Sequence, residues 1–387
     1  MAPGAQRCRG MASATSELLK TALYDQHVAL GGKMVDFAGY ALPIQYPSGV
    51  KSECEMTRNK SSLFDVSHMG QVRIHGPDAV KFVESVVVGD IAELKPGSGQ
   101  LSLITNKNGG IIDDTVITME ENSVFMVING ACKEKDLKHM SAMLQDSGFD
   151  ASIDHREDLS LMALQGPEAA NVLEGLVDGV TLSKMLFMNA TNAKVAGIDC
   201  GITRCGYTGE DGFELSVKHE DAPALMDKLL QNSNVVPAGL GARDTLRVEA
   251  GLCLYGQDID ENTTPVEGTL LWTVGKRRRK EGGFPGADII LDQIKAKPAM
   301  KRVGLVINGA PARSHTKIFA TAEDDESIGE ITSGTFSPTL GKPVAMGYLD
   351  KSCAKVGTTV YAQVRNKMIP AVVSKMPFVP AKYYRGN

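Results

Sequence analysis

Apolar residues change their spacing several times along this chain, and each change marks a predicted element. Leu101, Leu103 and Ile104 precede the polar turn Asn106-Lys107-Asn108-Gly109-Gly110, and Thr115-Val116-Ile117-Thr118-Met119 follow it, so a hairpin is expected with the paired glycines at its tip. Pro77-Asp78 opens a predicted helix with Val80, Val83 and Val87 on one face, and Leu137, Met140 and Leu144 place another over residues 133–144. Residues 159–164 read as a strand, and Gly166-Pro167 opens a helix through Leu176. Strands at 198–204 and 213–217 are joined by a glycine-rich loop as a further hairpin, and helices follow at 222–230 and 242–250, the latter ended by Gly251.

The pattern then shortens. Residues 302–307, 318–322, 328–332, 344–349, 358–364 and 368–373 are short β runs separated by turns, which predicts a small barrel or sandwich. Val360, Ala362 and Val364 alternate with Tyr361, Gln363 and Arg365, giving one inward and one outward face. Lys276-Arg277-Arg278-Arg279-Lys280 and Gly282-Gly283-Phe284-Pro285-Gly286 mark the boundary between the mixed α+β part and this β-rich end. No internal repeat or low-complexity segment disturbs the division.

A chain of 387 residues is long enough for two or three domains. Its net charge of −5 argues against a binder of the nucleic-acid backbone, which normally presents a basic face. No apolar stretch reaches the roughly 18 residues of a spanning helix, so a soluble protein outside the membrane is expected. Seven cysteines, at 8, 54, 132, 200, 205, 253 and 353, show neither a Cys-x-x-Cys pair nor a zinc-ligand rhythm, and reduced packing thiols in cytosol or mitochondrial matrix are expected. Residues 1–16 contain Arg7, Arg9, Ser13 and Ser16 and no acid, as a transit peptide, a short disordered terminus or an engineered start would.

The candidate chemistry begins at the turn, which delivers Asp113 and Asp114 into a strand. Successive side chains of a strand face opposite sides, so at most one of the two is a simple surface acid. Either that acid solvates a strand end, or it lies beside Ile112 and Val116 and needs a cation or hydrogen-bond donor, such as a substrate. The same alternation puts Glu214 opposite Phe213, Leu215 and Val217, as a solvated acid or, in a cleft, as a carboxylate for adjacent N–H donors such as those of a pterin. Arg243 and Arg247 share a helix face; ion pairing suits either, while the helix-start position of Arg243 favours an external anion. The run 276–280 reads as a solvated linker or as a patch for an acidic partner. Gly206 to Gly212 lacks the context of a phosphate loop, no dinucleotide fingerprint is present, and the seven histidines lack ligand spacing, so neither NAD, FAD nor a metal is expected.

In order along the chain, Gly31-Gly32-Lys33-Met34-Val35, Ser62-Leu63-Phe64-Asp65-Val66-Ser67-His68-Met69, the 109–114 turn, Arg204-Cys205-Gly206-Tyr207-Thr208-Gly209-Glu210-Asp211-Gly212, Arg243-Asp244, Leu252-Cys253-Leu254-Tyr255-Gly256, Thr263-Thr264-Pro265-Val266-Glu267 and Met376-Pro377-Phe378-Val379-Pro380 carry a nearly full-length resemblance. The sequence resembles the T-protein, or aminomethyltransferase, family of the glycine cleavage system. The resemblance implies an α+β cloverleaf: two interleaved α+β lobes over residues 17–280, a C-terminal β-barrel over 285–379 and a tail over 380–387, arranged around a tetrahydrofolate pocket. It implies transfer of a one-carbon unit from the aminomethyl-lipoyl arm of the H-protein to tetrahydrofolate, with release of ammonia, in the mitochondrial matrix.

Carried over by position, the resemblance makes Asp114 the functional acid, Glu214 the pterin-binding glutamate, Arg243 a folate-contacting arginine and Tyr383 a tail tyrosine at the site. Leu101, Val127, Trp272 and Arg302 match pocket residues. Two other members of the wider group compete. A non-catalytic folate-binding relative assisting iron–sulfur assembly resembles a Lys-Gly-Cys-Tyr-x-Gly-Gln-Glu pattern where this chain has Arg204-Cys205-Gly206-Tyr207-Thr208-Gly209-Glu210. The folate lobe of a sarcosine or dimethylglycine dehydrogenase would need an added flavin domain.

Overall fold

The computed structural model describes residues 17–386, so the transit-like segment 1–16 and Cys8 lie outside the described residues. Two sheets and a barrel form three lobes. The first sheet has strand order Gly99–Thr105, Ile111–Met119, Ser123–Ile128, Gly70–His75, Ser152–His155. The second runs Ala190–Val195, Ile198–Thr203, Gly212–Lys218, Leu159–Gln165, Ser61–Asp65, Val235–Pro237, with only the last pair parallel. Because Ser61–Asp65 precedes the whole first sheet in sequence yet pairs in the second, the two lobes are interleaved.

The predicted hairpin at the polar turn forms, with Leu103 opposite Asp114 and Ile104 opposite Asp113. The predicted helices are also present, as Ala79–Val86, Lys133–Ser147, Ala169–Glu174, Ala222–Leu230 and Leu240–Glu249. The third stops at Glu174 instead of Leu176, where Gly175 weakens helical continuation. Each sheet buries one face under its helices. Val72, Ile74, Ile117 and Met126 meet Phe82, Val83 and Met140 in the first lobe, and Met162, Phe213, Leu215 and Val217 meet Leu173, Leu225 and Leu229 in the second. That leaves the other face of each sheet free to turn toward its counterpart.

The two lobes repeat one unit that the sequence reading did not find: strand, helix, three strands, helix, strand, once over residues 70–155 and once over 159–237. Its sequence trace is Gly76-Pro77-Asp78-Ala79 against Gly166-Pro167-Glu168-Ala169, with both glycines at positive φ, 108° and 133°. So short a trace is easily overlooked, because the elements of the two units differ in length, with helices of 8 and 15 residues in one against 6 and 9 in the other. The repeats join at equivalent places, where Gly99 N–H donates to Met188 O (2.7 Å) and Ala190 N–H to Gly97 O (2.9 Å). Strand Ala190–Val195 gave no alternation signal, as an edge strand paired on one side only need not bury a full face.

The six C-terminal runs close a barrel in the order Met300–Ile307, Lys342–Asp350, Gly329–Ser337, Lys317–Phe319, Thr359–Val364, Lys367–Ser374, around Leu305, Ile318, Ile331, Ala345, Val360, Ala362 and Val373. The lobes are held by helix Leu240–Glu249. Arg247 is ion-paired with Asp258 (2.6 Å) and donates to Ser333 of the barrel (2.8 Å); Glu249 accepts from Arg58 (2.7 Å) and from Ser337 and Thr339 of the barrel. Both side chains are buried. The tail returns over the second lobe: Lys382 N–H donates to Gly209 O (2.8 Å), and Tyr383 stacks on Phe187 at 4.1 Å between centroids.

The run 276–280 is not a solvated linker. Arg277 pairs with Glu84, Asp90 (2.7 Å) and Glu281, the buried Arg278 lies over Phe284, and Arg279 donates to the carbonyls of Val274 (2.9 Å) and Leu271 (2.6 Å). Only Lys276 and Lys280 of the five remain exposed. Acids brought from residues 84–90 explain the difference, since no local pattern announces them.

The tip of the hairpin is pinned from outside. Asn106 accepts from the N–H groups of Asn108 (2.9 Å) and Gly110 (3.0 Å), and the Glu261 carbonyl comes so close that a Cβ on Gly110 would stand 1.7 Å from it. Gly110→Ala is therefore expected to destabilise the protein by at least about 2 kcal/mol, because backbone on both sides must move. Urea denaturation reads this directly, and an unchanged midpoint would show that the segment around Glu261 yields freely.

Candidate active site

The free faces of the two sheets enclose a cavity of about 700 Å³, within the usual range for a small-molecule site. Val116, Thr118, Phe125 and Val127 line it from the first sheet, Glu214 and Ser216 from the second, and Cys205 lies beside Glu214. Strand alternation explains the split: Phe213, Leu215 and Val217 are buried against helices, while Glu214 and Ser216 point the other way. Leu101, Val116 and Val127 stand in register across three strands as an apolar row.

Asp114 shares the face of Val116 and Thr118 and is half-buried at the hairpin end of this wall. Asp113 points to the opposite side and is fully buried. Asn129, just after strand Ser123–Ile128, holds both. Its backbone N–H donates to Asp113 Oδ2 (2.9 Å), and its side-chain Nδ2 donates to Asp113 Oδ1 (2.8 Å) and Asp114 Oδ1 (2.9 Å). Burial first, and the adjacent Asp113 charge second, push the Asp114 carboxyl up to about 7, against the lowering effect of the Asn129 bond and the Arg243 charge. Asp114 thus changes charge near neutral pH.

Arg243 stands near the helix start and interacts electrostatically with Glu214 and Asp114. Its guanidinium lies 4.7 Å from the centroid of Tyr207, and its Nη1 is buried with no acceptor. A guanidinium donor without a partner is costly unless a ligand oxygen or nitrogen meets it. Burial lowers its proton affinity and the Glu214 and Tyr207 charges oppose this. Burial likewise raises the Glu214 carboxyl, countered by the Arg243 charge and a hydrogen bond with Cys205. An anion held ready at Glu214, a free cationic donor at Arg243 and a switchable acid at Asp114 together suit a ligand with N–H donors at one end and developing positive charge at the other.

Other sequence-predicted positions fall differently. Tyr383 sits in the tail against Phe187, where Cys205 is among the groups that influence it electrostatically. Arg302 is buried at the base of the barrel, donating to the carbonyls of Gly268 (2.8 Å) and Gly251 (3.2 Å). Trp272 is 61 % exposed, and of the sequence-predicted residues only Val127 and Glu214 are in the cavity lining itself. Asn129 was not singled out in the sequence; an asparagine ending an apolar strand is the one available signal, and the pair it bridges is evident only in three dimensions. Arg247, on the same helix as Arg243, is consumed by Asp258, so the shared helix face does not mean a shared role.

Six cysteines are free thiols among the described residues, five of them buried. Also among these residues, Asp113, Cys132 and Asp136 form a group whose ligand-type atoms lie within 4.8 Å of one another, without a histidine. His68 is buried edge-on against Phe37 and held neutral by burial, which brings it down to about 4. No helix of the described residues is long and apolar enough to cross a membrane.

Comparisons with known proteins follow the same lines. Residues 23–278 match the family model described as GCVT N-terminal domain, and residues 301–380 match the glycine cleavage T-protein C-terminal barrel domain. The chain is 48 % identical over 383 residues to the mitochondrial aminomethyltransferase of Dictyostelium discoideum, covering 96 % of this chain and 95 % of that one. Against the mitochondrial aminomethyltransferase of Homo sapiens it is 50 % identical over 383 residues, covering 97 % and 94 %. The crystal structure of glycine cleavage system aminomethyltransferase T from Bartonella henselae superposes with a TM-score of 0.89 at 38 % identity, covering 95 % of this chain and 100 % of that one.

The Asn129 bridge makes a prediction that needs no substrate. Asn129→Ala removes the donor that favours ionised Asp114, so its carboxyl value, followed by carbon NMR of labelled aspartate, is expected to rise above the present value of about 7. A value that stays put or falls would mean that the bridge contributes nothing to the charge state of Asp114.

Proposed function

The chain belongs to the glycine cleavage T-protein family, and from that premise we propose how its cavity serves the reaction. The protein is an aminomethyltransferase of glycine cleavage in the mitochondrial matrix. We infer that the region 17–280 holds tetrahydrofolate between its two sheets, that the barrel 285–379 backs it, that the tail 380–387 closes over it, and that a lipoylated H-protein delivers the aminomethyl group.

In this reading Glu214 accepts from the pterin N–H groups, the free Nη1 of Arg243 meets an electron-rich folate atom, Leu101 and Val127 form the apolar wall, and Tyr383 flanks the Cys205 side. Arg302 acts indirectly, by holding the Gly251 and Gly268 carbonyls at the barrel junction. Trp272 faces solvent and is given no contact in this reading. The observation that carries the assignment is the half-buried Asp114, with a carboxyl value near 7, on the cavity face of its strand.

The chemistry requires two bonds of one carbon to be exchanged. The carbon leaves sulfur and ammonia and becomes bonded to two folate nitrogens; each of those nitrogens loses a proton, one proton going to the departing ammonia and one to the lipoyl thiolate. Positive charge builds on the carbon as each bond breaks. The Asp114 carboxylate stabilises that charge, and its proton affinity near 7 lets it relay a proton from a folate nitrogen. No metal enters this scheme.

Asp114→Asn is expected to leave tetrahydrofolate binding intact while slowing ammonia release by roughly 10²- to 10⁴-fold. In the wild type, turnover is expected to rise with pH through about 7, as the carboxylate form accumulates, and the inflection should vanish in Asp114→Asn. Near-normal turnover in the variant would remove Asp114 from the chemistry. For Glu214→Ala the loss is expected in folate affinity instead, read by titration of the resting protein, and unchanged affinity would exclude the pterin role.

A further inference from the structure

Behind the catalytic strand, on the side away from the cavity, lies a closed compartment that the reaction as described does not use. Asp113, Cys132 and Asp136 meet there, all of them essentially without solvent contact. Both oxygens of Asp113 are taken by Asn129, one by its backbone N–H and one by its side-chain amide. Neither oxygen of Asp136 meets an N–H or O–H donor. The adjacent cation, Lys135, directs its ammonium elsewhere, to Ile112 O (2.7 Å), Tyr255 Oη (2.6 Å) and Glu261 (3.2 Å).

Two carboxyl groups side by side in a dry compartment cannot both be ionised without a compensating cation. One proton must therefore stay with the pair. Its place follows from the donors: Asp113 already accepts two N–H bonds that favour its anion, while Asp136 has none, so the proton rests on Asp136 and its O–H points to Asp113. Burial and the Asp113 charge together push the Asp136 carboxyl up to about 10, with Lys135 pulling the other way.

The location of that proton decides the orientation of Asn129. The amide can present Nδ2 or Oδ1 to the two aspartates. While Asp113 is a pure acceptor it requires Nδ2, as an ionised Asp114 also does, and one Nδ2 donates to both. A proton on Asp113 would favour the flipped amide, setting an oxygen against Asp114 and withdrawing the donor from it.

We propose that Asp136 is a positioning residue for aminomethyl transfer: a neutral acid that donates to Asp113 and, through Asp113 and Asn129, keeps the Asp114 carboxylate aimed at the cavity. The proposal rests on the reading of Asp114 given above. The groups that act on Asp114 are Asp113, Asn129 and Asp136 from behind and Arg243, Tyr207 and Cys253 from the other elements around it, and those that act on Asp136 are Asp113, Cys132, Lys135 and Asp114.

Two substitutions and one spectrum test it. Asp136→Asn keeps a neutral donor toward Asp113 and is expected to retain the wild-type kcat and pH profile. Asp136→Ala removes the donor and is expected to lower kcat at least about tenfold with KM for tetrahydrofolate unchanged, and to move the inflection near 7 to higher pH. Wild-type behaviour in Asp136→Ala, or equal damage in Asp136→Asn, would overturn the proposal. Should Asp136→Ala fail to fold, infrared spectroscopy of the resting protein at about pH 8.5, above the Asp114 value and below that of Asp136, still decides. A carbonyl band of a protonated carboxylic acid is expected in the wild type and lost in Asp136→Asn; its absence from the wild type refutes a neutral Asp136. A band present alongside unimpaired turnover in Asp114→Asn would instead fault the catalytic reading and leave the protonated pair standing.

Discussion

One helix, Leu240–Glu249, carries charges that cannot be satisfied inside any single lobe, and the assembly depends on that constraint. Arg247 requires Asp258 and the barrel serine Ser333; Glu249 requires Arg58 of the helix Gly49–Asn59 and the barrel residues Ser337 and Thr339. A buried ion pair is weak evidence of net stability, since desolvation offsets much of the attraction, but removing one partner costs about 3–5 kcal/mol. Such a network therefore penalises every arrangement of the three lobes except the one that completes all the pairs. It acts as a geometric lock more than as a source of cohesion, which comes from the three apolar cores.

The same helix shows how a rigid scaffold produces a reactive group. Arg243 lies one turn before Arg247 and is less deeply buried, yet its Nη1 is shut from solvent without a protein acceptor and its guanidinium lies over Tyr207. The lock on Arg247 and Glu249 fixes the helix, and the fixed helix holds the arginine where Glu214 and Asp114 are among the groups that act on it. Opposite it, the hairpin is just as constrained, because the close approach of Glu261 at Gly110 sets the start of the strand that bears Asp114. Catalytic groups are thus held on elements whose positions are set by contacts outside the cavity, which leaves the cavity faces free for ligand.

Much of this was readable in the chain, with identifiable gaps. The hairpin, the long helices and the barrel strands were legible because each satisfies its own periodicity and ends on its own turn chemistry. The duplicated lobe was not, since only a Gly-Pro-acid-Ala trace survives of it, and the arginine run 276–280 was misread as a linker because Glu84 and Asp90 lie far away in sequence. At the site, the resemblance supplied Asp114, Glu214 and Arg243; of these the fold puts Glu214 in the cavity lining, and Asp114 on the strand face that Val116 and Thr118 present to it. Asn129 and Asp136 do not stand out in the sequence, as an asparagine at a strand end and an acid on an amphipathic helix are ordinary occurrences.

The sequence by itself determined which faces of each strand are apolar, and hence that Asp113 and Asp114 part company and that Glu214 turns away from its neighbours. These are consequences of a period of two, which is local and does not depend on what packs nearby. Only the tertiary structure decided which polar face meets water and which meets another sheet. Charge state was decided there too. A carboxyl held near 7 at Asp114, a proton retained between Asp113 and Asp136 and an arginine left without an acceptor all arise from desolvation and from partners distant along the chain, and neither quantity is encoded in any short stretch of residues.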